Sequence, residues 1–170
     1  MIEAHIIPKG FGRLIRKSEG PNIKLQPDRV SEANPQLGEY DPAILCADCD
    51  NILGRNDEYA IEVCKEFTGK NGNEDQLFEI NDVDCKRFST FVLSVLWRAS
   101  VSKRPTFSDI ELGPYEDLVR DVIFGARPLS DIAAFELIVS RFKSRHLDPS
   151  GINYYPVRWR FLNLNSTACA

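Results

Sequence analysis

The residues best suited to chemistry lie in the stretch ILCADCDN, residues 44–51, which contains a Cys-x-x-Cys pair. Cys46 and Cys49 have the spacing of two ligands of a structural zinc ion, but a closed zinc site takes four ligands. Asp50 follows the pair directly, and Asp41 precedes it along the chain. Because carboxylates suit hard cations, these two aspartates are candidate ligands for Mg²⁺ or Mn²⁺.

The Cys pair allows three interpretations. Cys64 or His5 could complete a zinc site, although the spacing selects neither. Without metal, the two thiols could instead fill a tight turn beneath the helix that follows. Thiol redox chemistry would require a helix that starts at the first cysteine, and the charges of Asp48 and Asp50 should raise the thiol pKa instead of lowering it. The sequence therefore favours zinc ligation or packing over a redox role.

The composition is that of a soluble globular protein, with 43% hydrophobic and 27% charged residues in 170. The longest apolar run, FVLSVLW at 91–97, is much shorter than the roughly 20 residues that cross a bilayer. Five cysteines with one close pair do not indicate a disulfide framework but reduced thiols. We therefore expect a cytoplasmic protein, in which Cys64 and Cys85 are small buried hydrophobes.

Charge is distributed unevenly along the chain, whose net charge of −4 argues against a general nucleic-acid binder. Residues 1–30 carry six basic and three acidic side chains, and residues 91–170 carry ten and eight. Residues 31–90 carry five basic and fourteen acidic side chains. Most of the carboxylates in this acidic segment are expected to form a solvated surface.

Periodicity predicts an α+β fold. Residues 18–43, rich in Pro, Gly, Asn and Asp, are predicted to be a long irregular connection. Three segments have helical patterns: 57–68, the segment that starts at Phe88, and Pro114 to Gly125. Three further segments favour or allow strands: 77–82, 135–142 and 155–164, of which 135–142 could equally be a helix.

Four segments carry a resemblance to a known family: HIIPKGF (5–11), ILCADCDNILGRNDEYA (44–60), LSVLWRASVS (93–102) and LGPYED (112–117). Together they resemble the HNH endonuclease superfamily, the ββα-metal nucleases, and within it a bacterial and phage group of HNH-endonuclease-like proteins. The resemblance implies that residues 1–70 form a ββα-metal-like hairpin and helix unit. Residues 71–170 would then form a mostly helical body with C-terminal strands, packed on that unit or joined with it in one compact domain.

The resemblance also implies a role for each candidate residue. His5 would be the general base that activates a water molecule, and Asp50 would help to hold a catalytic Mg²⁺ or Mn²⁺. Asp41 lies where the family has an asparagine that orients the base, but an ionised aspartate offers only acceptors. Cys46 and Cys49 match half of a zinc knuckle. Its other half usually precedes the histidine, and only four residues precede His5 here.

Two functions follow as hypotheses. The first is a metal-dependent nuclease that cleaves phosphodiester bonds in nucleic acid. A basic arm would bind the phosphates, and its residues are Lys9, Arg13, Arg16 and Lys17. The second is a non-catalytic protein whose acidic segment 31–90 mimics a nucleic-acid backbone and docks on a basic partner. A phage-encoded inhibitor of a host nucleic-acid-handling defence protein would act in this way. Neither hypothesis involves a membrane.

Overall fold

The computed structural model describes residues 2–15, 22–26, 29–34, 38–69, 82–132 and 137, with backbone only at 15, 22–26, 29–34 and 67–69. These residues form an α+β fold, as predicted. The strands are β1 (Ala4–His5), β2 (Asn22–Gln26), β3 (Arg29–Asn34) and β4 (Tyr40–Asp41). The helices are α1 (Lys9–Ile15), α2 (Ala47–Gly69), α3 (Cys85–Val101) and α4 (Glu116–Ile123). Single 3₁₀ turns occur at Pro105–Phe107, Gly113–Tyr115 and Leu129–Ile132.

Strands β1 and β4 form the antiparallel pair that precedes α2. Ala4 lies opposite Asp41, and His5 lies opposite Tyr40. Because side chains alternate between the faces of a strand, Ala4 and Asp41 share one face and His5 and Tyr40 share the other. Ala4 and Asp41 are buried, whereas His5 and Tyr40 are half-buried. The candidate base is thus on the more exposed face of the pair.

The predicted irregular connection over residues 18–43 is wrong, because it contains a second hairpin. Strands β2 and β3 pair antiparallel, with Ile23 opposite Ala33 and a register shift between Lys24 and Gln26. The sequence NIKLQ alternates apolar and polar residues, which is the period-two signal of a strand. The Pro, Gly and Asn residues around this short signal obscured it.

Helix α2 begins at Ala47 and not at residue 57 as predicted, although it ends at Gly69, close to the predicted end. Gly54 and Asn56, two residues of weak helix propensity, both lie inside the helix. Leu53 is fully buried on its inner face, so tertiary packing outweighs the weak helix propensity of its neighbours. Asp48 and Asp50 lie in the first turn, where negative charge is favourable to the helix dipole.

Helix α3 starts at Cys85, three residues before the predicted start, because Asp84 caps it. The Asp84 carboxylate accepts a hydrogen bond from the backbone N–H of Arg87 at 2.9 Å. Cys85 is exposed at this helix start and Cys64 is only half-buried on α2, so the prediction that both are small buried hydrophobes is wrong for Cys85.

The main core lies between α2, α3 and α4. Its buried members include Leu53 from α2, Leu93 and Trp97 from α3, and Val119 and Ile123 from α4; the indole of Trp97 also meets the ring of Phe124 edge-on at 5.8 Å. The predicted helix between Pro114 and Gly125 is confirmed, although α4 itself spans only Glu116–Ile123. Pro114 lies in the 3₁₀ turn before it, and Gly125, with φ of 78°, lies after its end.

Several predictions lie outside the described residues, namely those for 77–81, 135–136, 138–142 and 155–164; Asp82 is described and lies in a turn. The division of the chain near residue 70 stays a prediction, although α2 on one side of it packs against α3 on the other. In the ranges that the structure describes, no helix is long and apolar enough to cross a membrane.

Candidate active site

His5 ends strand β1, and its ring is held by a hydrogen bond to its own strand. Nδ1 lies 3.1 Å from the backbone carbonyl oxygen of Glu3. Since a carbonyl oxygen only accepts, Nδ1 must carry the proton of the neutral ring and donate it. Nε2 then keeps a free lone pair. This tautomer is the one that a general base requires.

The charge state of His5 also suits a base. Burial lowers the pKa of His5 below its ordinary value of 6.5, since the half-buried ring loses part of the water that would solvate its cation. The hydrogen bond to Glu3 opposes this shift in pKa, the charge of Lys9 adds to it, and the charge of Asp50 opposes it. The imidazole is therefore neutral at pH 7, and the carboxylate of Asp50 lies within electrostatic range of it.

Asp50 lies in the first turn of α2, directly after Cys49, and is half-buried. In the described ranges, no group of three or more His, Cys, Asp or Glu side chains is placed to hold a metal ion. Mg²⁺ does not need such a group, because it usually keeps several waters and binds through one or two carboxylates and the substrate phosphate. The carboxylate of Asp50 is a ligand type that a hydrated Mg²⁺ or Mn²⁺ accepts, and the metal site at this position stays a prediction.

Asp41 follows Tyr40, the residue opposite His5 in the strand pair, but its carboxylate bonds to residues other than His5. Its carboxylate accepts hydrogen bonds from the N–H of Ala43 (3.0 Å), the hydroxyl of Ser102 (3.0 Å) and the N–H of Lys103 (3.2 Å). Burial alone would raise the pKa of Asp41, but these hydrogen bonds together lower it below its ordinary value. Asp41 thus attaches the segment after α3 to strand β4. Its predicted part in catalysis stays a prediction.

Arg98 is the residue of this site that the sequence reasoning missed. Only 1% of its side chain is exposed, and its guanidinium forms an ion pair with Asp57 of α2 through two hydrogen bonds of 3.0 and 2.8 Å. Nη1 also donates to the backbone carbonyl of His5 at 3.0 Å. Nε and Nη2 bond to Ser94, one turn earlier on α3. The available signal was an arginine on the apolar stripe of α3, four residues after a serine.

The Cys pair lies at the amino end of α2, with Cys46 exposed just before the helix and Cys49 in its first turn. The backbone N–H of Cys49 donates to Sγ of Cys46 at 3.4 Å. Hydrogen bonds from Cys49 lower the pKa of Cys46, although the charge of Asp48 acts in the opposite direction. The hydrogen bond to Cys46 and burial raise the pKa of Cys49. The charge of Asp48 thus raises the pKa of both thiols, as expected, but at Cys46 the hydrogen bonds from Cys49 outweigh it.

The zinc prediction for this pair stays untested. Within the described part of the chain, neither Cys64 nor His5 joins Cys46 and Cys49 in a group of three ligands. Two thiols supply half of the ligands that a structural zinc ion takes. The two cysteines are placed to contribute to such a site, and any further ligands would have to come from elsewhere.

Gly38, a loop residue, lies next to the ring of His5. Gly38 has φ of 135°, and a Cβ there would lie 3.7 Å from Cδ2 of His5 and 3.4 Å from the carbonyl oxygen of Ile7. The backbone angle therefore favours glycine, whereas a Cβ at these distances would make only ordinary van der Waals contacts. Of the predicted basic arm, Lys9 and Arg13 are exposed on α1, and the rest, Arg16 and Lys17, lies outside the described residues.

No protein-family model, curated protein or solved structure matches this chain. The geometry of the site and the resemblance of its motifs are therefore the basis for a functional proposal.

Proposed function

We propose that this protein is a metal-dependent nuclease of the HNH type, with His5 as the general base. The observation that carries the proposal is the hydrogen bond from Nδ1 of His5 to the carbonyl of Glu3, which leaves Nε2 free to accept a proton. The lowered pKa of His5, caused first by burial, supports it, since a base must be unprotonated at working pH.

The topology supports the same proposal. Strands β1 and β4 form an antiparallel pair that is followed by α2, and Asp50 lies in the first turn of that helix. A paired hairpin followed by a helix is the ββα arrangement that the resemblance to the HNH superfamily implies. His5 comes from the first strand and Asp50 from the helix, as the implied roles require.

In the proposed reaction, Nε2 of His5 removes a proton from a water molecule whose oxygen attacks the phosphorus. A new P–O bond forms and the bond to the leaving oxygen breaks. The imidazolium that results is stabilised by the carboxylate of Asp50, which favours the protonated ring. A divalent metal ion held in part by Asp50 would supply charge neutralisation at the phosphate and the leaving oxygen.

The test is cleavage of single-stranded DNA, duplex DNA and RNA with Mg²⁺ or Mn²⁺. His5→Ala should lower the rate by a factor of about 10² or more, which is the usual contribution of a general base. Asp50→Ala should also lower it, whereas Asp48→Ala should not. Asp48 is a matched control because it lies in the same helical turn but is exposed. If the metal-loaded protein cleaves none of the three substrates, the proposal is wrong.

One observation favours the second candidate function, an acidic docking protein. Glu58, Glu62 and Glu66 follow one another at intervals of four residues on α2 and are exposed, so they share one face of the helix. Lys65 neutralises part of this face through an ion pair with Glu62 at 2.6 Å. A basic nucleic-acid-handling protein is the partner that such a face would bind. Retention of that partner by the wild-type chain at low salt, and its loss when the three glutamates become glutamines, would support this function.

A further inference from the structure

Arg104, which follows α3, is fixed on Tyr40 of strand β4. Its Nε donates to the backbone carbonyl of Tyr40 at 2.8 Å, and its guanidinium carbon lies 5.3 Å from the centre of the Tyr40 ring. The carboxylate of Asp41 fixes the backbone just before Arg104, because it accepts hydrogen bonds from Ser102 and Lys103. Among the described residues, Nη1 and Nη2 form no hydrogen bond and no ion pair, although the charge of the Asp41 carboxylate acts on Arg104 over a longer distance.

Tyr40 connects Arg104 to the candidate base. Tyr40 is directly opposite His5 in the β1–β4 pair, so both side chains are on the same face. The centres of the two rings are 6.2 Å apart. A second cation is close as well, because the charge of Lys9 acts on the imidazole. Lys9 therefore lies within electrostatic range of the base, and Arg104 is linked to the base through Tyr40.

We propose that Arg104 is a phosphate-binding residue for the nucleic-acid strand on which His5 acts. The inference rests on the proposed function and deepens it, because it identifies where the substrate strand is bound. A guanidinium with two free nitrogens matches the oxygens of a phosphate. Its attachment to Tyr40 means that less side-chain freedom is lost when the phosphate binds.

The competing explanation is a purely structural role, in which Arg104 only attaches the segment after α3 to β4. The two roles differ in their dependence on salt. Each cation that neutralises a phosphate releases counterions, so its removal lowers the slope of log K against log salt by about 0.9 for duplex DNA and about 0.7 for single strands. A residue that only stabilises the fold does not change this slope.

The experiment uses the full chain carrying His5→Ala, so that bound substrate is not cleaved. Fluorescence anisotropy with one labelled sequence, as single-stranded DNA, duplex DNA and RNA, gives the affinity over a range of salt concentrations. Adding Arg104→Gln should weaken binding about tenfold, as for loss of a hydrogen bond to a charged group. It should also lower the salt slope by about one. The substrate that shows both effects identifies the class of strand.

Arg87→Gln is the matched control. Arg87 also lies over a tyrosine ring, that of Tyr59 at 4.6 Å, and donates to a backbone carbonyl, that of Arg55 at 2.6 Å. It precedes Arg98, the residue bonded to His5, by eleven positions, or about 16 Å along α3. Arg87→Gln should leave the slope unchanged. Equal affinities and slopes for the Arg104→Gln and Arg87→Gln variants would overturn the proposal. So would a protein that binds none of the three nucleic acids.

Arg104→Lys keeps the test valid if the glutamine variant fails to fold. Lysine retains the charge but not the two-nitrogen contact, so affinity should fall severalfold while the slope is kept. If the Arg104→Lys variant binds nucleic acid as tightly as the wild-type residue does, the guanidinium contact is wrong. If the wild-type protein cleaves nucleic acid but Arg104→Gln keeps its KM, only the Arg104 site is wrong. If Arg104-dependent binding is seen without any cleavage, only the proposed hydrolysis is wrong.

Discussion

Arg98 donates a hydrogen bond from Nη1 to the backbone carbonyl of His5 at 3.0 Å, although the two residues are 93 positions apart. The guanidinium is also paired with Asp57, so one buried side chain connects β1, α2 and α3. The β1–β4 pair has only two residues in each strand, and so short a pair is not stable alone. The position of the candidate base therefore depends on the helices through Arg98.

Removing one partner of the buried pair should strongly destabilise the fold. We expect Arg98→Leu or Asp57→Asn to lower the free energy of unfolding by about 3–5 kcal/mol, because each leaves a buried polar group without its partner. Urea denaturation measures this change. A loss below about 1 kcal/mol, the range of surface ion pairs, would contradict it.

The double variant Arg98→Leu/Asp57→Leu separates stability from position. It should recover much of the lost stability, since apolar pairs often replace buried ion pairs at little cost. Cleavage activity should not recover with it, because the bond to the His5 carbonyl is still absent. Equal recovery of stability and activity would show that Arg98 does not position His5.

His5 should titrate below pH 6.5, its ordinary value, in NMR spectra recorded with chelator present. The chain has two histidines, so a His146→Ala variant assigns the signals. Asp50→Asn should lower the pKa of His5 further, because the carboxylate favours the imidazolium, whereas Asp48→Asn should have a smaller effect. Nitrogen shifts should show the proton on Nδ1. A pKa of His5 above 6.5, or a proton on Nε2, would contradict the arrangement.

The lowered pKa of His5 determines how both the stability of the fold and the rate of cleavage change with pH. Because the pKa of His5 is lower in the folded state than in the unfolded chain, protonation favours unfolding. The stability that neutral His5 contributes is present above pH 6.5 and is lost as pH falls through the folded pKa. Cleavage should fall in the same acidic range, and kcat/KM should be constant above it until another group titrates.

Asp41 should contribute to resistance against acid. Its folded pKa lies below the ordinary 3.8, so its stabilising effect is present above that value and is lost as pH falls through the folded pKa. Asp41→Asn should lower the free energy of unfolding by about 1–3 kcal/mol at pH 7, since an amide nitrogen cannot accept from Ser102 or Lys103. The difference from wild type should shrink near pH 2. The exposed Asp109→Asn is the control, and an equal effect there would contradict the assignment.

Local patterns in the sequence predicted those elements whose signals are local. The stripe from Phe88 to Ala99 predicted α3, and Pro114 with Gly125 predicted α4, since a helix that packs on one side shows its period directly. The first turns of α2 were missed because Gly54 weakens the local signal. Burial of Leu53 against other elements, which local spacing does not report, stabilises them.

The sequence predicted where two residues of the candidate site lie, but not the long-range contacts that hold the site together. The strand position of His5 and the neighbourhood of Asp50 agree with expectation. The partners of Asp41 lie 61 and 62 residues away, and the arginine fixed on Tyr40 lies 64 residues away. Contacts over such separations are set by how α3 packs on the hairpin, which a single sequence does not encode in any short pattern.

Cys46 should react with iodoacetamide faster than Cys49 or Cys64, as measured by mass spectrometry of labelled peptides between pH 6 and 9. It is exposed, and the N–H of Cys49 lowers the pKa of Cys46, whereas burial raises the pKa of Cys64. If the pair binds zinc, adding the ion should protect Cys46 and Cys49 together and leave the exposed Cys85 reactive. Labelling of Cys46 no faster than that of Cys64 would contradict the arrangement at the start of α2. Protection of Cys46 alone would contradict shared ligation.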